Sequence, residues 1–201
     1  MEILPQDIAF DFDGVVADTF RLFVELARSR YNVDIEYEKI THYEFLDVID
    51  MDRQDAEQII DVLTMLPKDL YLSPNKGAVD VLTKIADISR LLFVTARPTK
   101  EPVVKWFGKH LPHVDSDYIR IEATGVTTKK LGVLKDYGIK YFIDDRLDTC
   151  QMLDKAGITP IIYDQPWNRE PHPFVVVRDW DDIAGMIDWS SQADRACNSI
   201  I

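Results

Sequence analysis

Asp11 and Asp13 stand two residues apart in Asp11-Phe12-Asp13-Gly14-Val15-Val16-Ala17-Asp18, directly after the short apolar run Ile8-Ala9-Phe10. Acidic pairs are common in solvated turns, and Asp47, Asp50 and Asp52, or Asp115 and Asp117, read that way. A pair leaving a buried strand is different, because two ionised groups there need a metal ion or a shared proton. Three more polar signals follow the same logic. Thr95 ends the run Phe93-Val94-Thr95 before Ala96-Arg97-Pro98, where a hydroxyl and free backbone N–H groups can bind phosphate oxygens; a turn-closing threonine is the plainer reading. Lys129 and Lys130 open a helical stretch, against a dipole that favours cations at the other end. Such a lysine is either a surface residue or one that reaches toward an anion. Asp144 and Asp145 leave the run Tyr141-Phe142-Ile143, and adjacent buried aspartates are costly unless a cation lies between the loops.

Together, in this order, the four signals fit one chemistry. Hard divalent cations of the Mg²⁺ type choose oxygen ligands, and carboxylates of the first and last loops would supply them. A carboxylate can then attack phosphorus, because the cation, a lysine and a threonine offset the repulsion between anions.

These side chains need a scaffold that brings strand ends together. Apolar, β-rich runs at Ile8 to Phe10, Arg90 to Thr95, Tyr118 to Glu122, Tyr141 to Ile143, Ile158 to Tyr163 and Phe174 to Val177 read as buried parallel strands. Helical patterns lie between them: Asn75 to Ala86, Pro102 to Leu111, and Leu131 to Tyr137 and Asp148 to Ala156, the last two each followed by a glycine. The alternation predicts an α/β fold, a Rossmann-like doubly wound parallel sheet, whose ligands bind beyond the carboxyl ends of the strands. Residues 18–74 break the pattern. They show helical spacing at Thr19 to Tyr31 and Asp52 to Leu66, with Asp52 as N-cap, and no buried strand. We read them as a helical cap inserted after the first strand, with 1–17 and 75–201 as the core. The insertion holds 13 acidic and 6 basic residues and so carries more than half of the chain's net charge of −12. Asp181 and Asp182, after Trp180, read as a helix N-terminal cap and dipole pair.

The motifs resemble those of the haloacid dehalogenase-like (HAD) phosphohydrolases: Asp11 to Asp18, the Thr95 loop, a lysine before the last acidic loop, and Ile143-Asp144-Asp145. Within that superfamily the chain is most similar to the cytosolic 5′(3′)-deoxyribonucleotidase type, through the first motif, Thr95-Ala96-Arg97-Pro98, and Asp164-Gln165-Pro166-Trp167-Asn168. The resemblance implies a Mg²⁺-dependent phosphomonoester hydrolase that works through an aspartyl-phosphate. It assigns Asp11 as nucleophile and Asp13 as general acid, then base, with a proton on one of the two while the other is ionised. Thr95 and the Ala96 N–H would hold phosphoryl oxygens, and Lys130, chosen over Lys129 by its distance from Gly138, would neutralise charge. Asp11, the Asp13 main-chain carbonyl and Asp145 would hold the metal, with Asp144 acting through a water. The presence of Asp13 and of the acidic pair argues against the superfamily's dehalogenases.

Substrate preference rests on the cap. The implied substrate is a small phosphorylated molecule, a nucleoside monophosphate, with Phe20 and Tyr43, and after them Phe45 and Tyr71, as rings that could face a base. Core packing is the competing reading of all four. Arg21 could reach a substrate or be an exposed helix charge; Trp167 and Asn168 could shape the rim or only pack a loop. A sugar-phosphate phosphatase, a phospho-accepting receiver domain and an inactive binding protein are the alternatives. Receiver domains put the acidic pair on the first strand, the reverse of the order here.

Composition sets outer bounds. At 201 residues, 46% hydrophobic and 29% charged, the chain is an ordinary globular domain with room for one insertion. Its acidity argues against nucleic acid and anionic membranes as partners. No signal peptide or spanning segment is visible, and Cys150 and Cys197 lack metal spacing, so the expected location is the cytoplasm. Oligomeric state leaves no trace in the sequence.

Overall fold

A computed structural model describes residues 2–190 of the chain. In chain order, β1 (Ile8–Phe10) leads to α1 (Thr19–Tyr31) and α2 (Arg53–Met65). Then follow α3 (Ala78–Ile88), β2 (Leu91–Thr95), α4 (Glu101–His110), β3 (Ile119–Ala123), α5 (Lys130–Asp136), β4 (Tyr141–Asp144), α6 (Leu147–Lys155), β5 (Thr159–Tyr163), β6 (Val175–Val177) and α7 (Trp180–Ala184). The strands form one sheet in the order β3-β2-β1-β4-β5-β6, and all neighbours pair in parallel. The chain is thus a Rossmann-like α/β protein. The order reverses between β1 and β4, and this reversal opens the crevice where such sheets bind ligands.

Alternation of side chains along each strand explains the two-sided covering. Phe10, Leu91, Phe93, Ile143 and Ile161 face one core with α3, α4 and α7. Ala9, Leu92, Val94 and Phe142 face the other with Leu134 of α5 and Leu153 of α6. The central strands β1 and β2 are buried throughout. The edge strands differ from the sequence expectation: β3 is only partly buried and Val175 and Val176 of β6 are exposed, because an edge strand lacks a neighbour on one side.

Local signals fold as their chemistry dictates. Asp52 caps α2 by accepting from the N–H groups of Gln54 and Asp55. Gly138 and Gly157, just past α5 and α6, take positive φ values of 66° and 83°. At α7 the cap is Asp179, which accepts from Asp182 N–H, while Asp182 in turn accepts from Arg178 N–H. The cap itself is therefore Asp179 and not Asp181 or Asp182, since the helix starts earlier, while both lie in the first turn, where their charge suits the helix dipole as expected.

Residues 18–74 hold α1, α2 and 3₁₀ turns at Tyr37–Lys39 and Phe45–Asp47. α1 packs on α2. The segment leaves and returns at one place: Asp18 N–H donates to Ser73 O (2.9 Å), Asn75 N–H to Val16 O (2.8 Å), and Ala17 bridges Pro74. Among the described residues no helix is long and apolar enough to cross a membrane. Cys150 is buried and free; Cys197 and the rest of the tail from 191 lie outside the described residues.

Candidate active site

β1 and β4 lie side by side in the register Phe10 to Ile143, so the residues that follow them emerge together. Asp11 N–H donates to Ile143 O at 2.8 Å. Asp11, Asp144 and Asp145, all buried, bring carboxylate oxygens within 4.8 Å of one another. Gly14 permits this closeness. It sits at φ 75°, and a β-carbon there would collide with the Asp145 carboxylate. Gly14 and Val15 are held from the core side: Gln165 and Asn75 donate to the Gly14 carbonyl, Asn75 and the Trp180 indole to that of Val15.

Lys130, the first residue of α5, is completely buried and spans the cluster, 2.7 Å from Asp11 Oδ2 and 2.8 Å from Asp144 Oδ2. Lys129 is exposed, so the structure separates the two lysines that the sequence leaves adjacent. Asp11 Oδ1 accepts from Phe12 N–H, and Asp144 Oδ1 from Arg146 N–H. Asp145 Oδ2 accepts from the Trp167 indole at 3.2 Å, and its Oδ1 is buried without a partner.

Three carboxylates thus face one ammonium, and the balance is negative. Burial pushes the Asp11 carboxyl up to about 7 despite Lys130. Burial, with Asp144 and Asp11 beside it, pushes Asp145 well above the ordinary range. An orphaned oxygen, an excess of negative charge and an all-oxygen donor set are what a hard divalent cation requires. The residues present fit such a metal.

Asp13 points into different surroundings. Arg97 donates to it through Nε (2.8 Å) and Nη2 (2.7 Å), and Thr19 Oγ1 donates at 2.6 Å. Burial raises the Asp13 carboxyl, but Arg97 outweighs it and holds the group below its usual value. The sequence reading leaves open which of Asp11 and Asp13 keeps the proton. Asp11 is the group held up, by burial, and Asp13 the group held down, by the guanidinium beside it. Arg97 Nη1 also donates to the Leu63 and Thr64 carbonyls (2.9 Å each) in the last turn of α2, where carbonyls lack helical partners. Thr95, at the end of β2, is buried; its Oγ1 accepts from Arg97 N–H, which leaves its own proton free to donate.

A cavity of about 310 Å³ borders Asp13, Ala96 and Arg97. Phe20, Phe23, Tyr43 and Phe45 supply aromatic wall, and Ile60 and Leu63 of α2 close the far side. Phe20 also packs on Trp167 at a centroid distance of 4.0 Å, so it is core and cavity wall at once. Arg146 lies over the Tyr43 ring at 3.9 Å. Tyr71 does not line this cavity. It is more than half exposed and packs beside Lys109 and His110, because the chain has already turned toward α4. Arg21 pairs with Asp18 and covers Tyr37, also outside the cavity. Trp167 and Asn168 do more than shape a rim: the first donates to the Asp145 carboxylate and the second to its carbonyl. Sequence reasoning gave no role to Arg97, Thr19 or Gln165. A charged residue two positions past a strand-end threonine was the available signal for Arg97.

The architecture matches solved hydrolases of one superfamily. A HAD-superfamily hydrolase of subfamily IA from Geobacter sulfurreducens superposes with a TM-score of 0.54 at 19% identity, covering 92% of this chain and 95% of that one. A haloacid dehalogenase-like hydrolase from Streptococcus pneumoniae gives 0.54 at 9% identity, covering 89% and 96%. The fold is that of the HAD hydrolases. Over residues 6–193 the sequence matches the family described as 5′ nucleotidase, deoxy (Pyrimidine), cytosolic type C protein. A nucleotidase of Clostridium acetobutylicum is 23% identical over 185 residues, 90% of this chain and 93% of that protein. The chain belongs to this cytosolic type C 5′-nucleotidase family and is a phosphoric monoester hydrolase.

Proposed function

We propose that the protein is a Mg²⁺-dependent cytoplasmic 5′-nucleotidase acting on nucleoside or deoxynucleoside monophosphates. The observation that carries this reading is the cavity beside Asp13. Its walls are aromatic, and the one cation among its described lining residues, Arg97, is already matched to Asp13. A second phosphate or a carboxylate on the leaving group would find no free positive charge there. A flat, uncharged base would find rings, with Phe20 and Tyr43 foremost.

In this reading Asp11 attacks phosphorus and the ester P–O bond breaks, while Asp13 gives a proton to the departing sugar oxygen. Water then attacks the aspartyl-phosphate, Asp13 takes its proton, and the bond to Asp11 breaks to release phosphate. Thr95 Oγ1 and the Ala96 N–H hold phosphoryl oxygens. Lys130 offsets charge on Asp11 and on the transferring group. Asp11, the Asp13 carbonyl and Asp145 would hold Mg²⁺, with Asp144 acting through a water; bound there, it would supply positive charge at the phosphoryl oxygens and favour an ionised Asp11. Asp13 can act as an acid only once its pair with Arg97 opens and it gains a proton. Residues 18–74 act as a cap that closes the cavity against water.

Phosphate release from a panel of nucleoside monophosphates and sugar phosphates, with and without Mg²⁺, tests the reading. We expect nucleotides to lead by at least about tenfold in kcat/KM, a difference of about 1.4 kcal/mol in transition-state binding. Faster turnover of sugar phosphates would replace the leaving-group assignment. Activity that survives chelation would remove the metal.

A further inference from the structure

A second cavity, of about 240 Å³, lies where the stretch after α2 meets α4. Lys68, Lys105 and Lys109 line it, and no carboxylate does. None of the three has an ion-pair partner among the described residues. Lys105 and Lys109 stand four apart on one helix, where like charges repel. The dipole of α4 favours Lys109 in its last turn, but it does not account for Lys105 or for Lys68, which comes from another segment. Such gathering of positive charge stands out in a chain of net charge −12.

His110 adds an independent sign. Its ring lies 4.2 Å from Trp106 in a stacked arrangement, and its Nε2 is buried with no partner. Burial, with Lys109 next to it, holds the imidazole below its usual value. A buried ring nitrogen without a partner is costly unless a ligand meets it.

We propose that this cavity is a second binding site, for a compact phosphate-bearing anion, held by Lys68, Lys105 and Lys109 with His110 Nε2 as its buried contact. The site is separate from the carboxylate cluster, whose surplus negative charge repels a free anion. It is nonetheless connected to it. Leu66, in its wall, ends α2 at φ 41°, directly after the turn whose carbonyls hold Arg97. An anion bound here ties the 66–72 stretch to α4 and stiffens that clasp.

Inorganic pyrophosphate is a suitable probe, titrated calorimetrically into the full chain without Mg²⁺, so that the catalytic cluster stays repulsive. We expect saturable binding that weakens at least tenfold in the Lys105→Gln/Lys109→Gln variant and is unchanged in Asp11→Asn. Phosphomonoester hydrolysis by the double lysine variant should match wild type. The His110 ring resonances should shift on titration. Equal affinity in wild type and the lysine variant, loss of binding in Asp11→Asn, or no binding at all would each overturn the site, and unmoved His110 resonances would remove the imidazole from it.

Discussion

At the scale of single residues, the central fact is a charge mismatch. Lys130 cannot balance Asp11, Asp144 and Asp145 together, and Asp145 keeps one oxygen without a donor. Replacing Asp11 with Asn removes one of the crowded charges. We expect the folded protein to keep or gain melting temperature while phosphate release falls by about 10³-fold or more; near-normal turnover would contradict the nucleophile role. The pH dependence follows from the same mismatch. Asp11 rises on folding from 3.8 to about 7, so its contribution to stability is full below about pH 4 and is lost as pH climbs through about 7. Asp145 shifts the same way. Asp13 is lowered, and its contribution disappears only when pH falls below the unfolded value. Metal-free protein should therefore lose stability between about pH 5 and about pH 7, and added Mg²⁺ should restore it most at the upper end, where the ligands ionise most readily. Thermal melts across that range check this, and a Mg²⁺ effect that does not grow with pH would refute it.

At the scale of elements, Arg97 links three of them: β2, which it follows, the loop after β1 through Asp13, and the end of α2 through two carbonyls. Replacing it with Met leaves Asp13 largely buried and unpaired, a change of about 3–5 kcal/mol for a broken buried pair. Arg97→Lys should recover part of that, since an ammonium keeps the charge but loses the two-pronged geometry. Chemical denaturation of both variants measures the difference; equal loss would mean that shape, not charge, is what matters. The elements themselves were legible beforehand. Helical spacing of Phe20, Phe23 and Leu26 marked α1, Asp52 marked the start of α2, and the apolar runs marked all six strands within a residue or so. Arg97 was not, because its partners lie 33 to 84 positions away and only the tertiary fold brings them close. Tyr71 misled for the same reason: its type suits a base, but its place on the chain puts it outside the cavity. Half-exposed β3 and β6 read as buried because valine and isoleucine suit an edge strand as well as a central one.

At the scale of the whole molecule, the reversal of strand order between β1 and β4 brings the carboxylates together, and in the proposed reading residues 18–74, which supply Phe20, Tyr43 and Phe45 to the cavity wall, select what reaches them. That division yields a test. Phe20→Ala opens the cavity wall and meets the carboxylate cluster only indirectly, through Trp167. We expect kcat/KM for nucleoside monophosphates to drop about 10–100-fold, with a much smaller loss for a phosphoester whose leaving group needs no wall. Equal losses on both would show that Phe20 supports the centre itself rather than selecting the substrate. The paired exit and re-entry at Ala17 and Pro74 has one more consequence. Since both ends of the excursion are fastened to each other, its length hardly strains the sheet, and extra residues add entropy only logarithmically. Inserting or removing residues within the excursion should therefore leave the strands that carry the carboxylates in place, because the hinge at Ala17 and Pro74 absorbs the change.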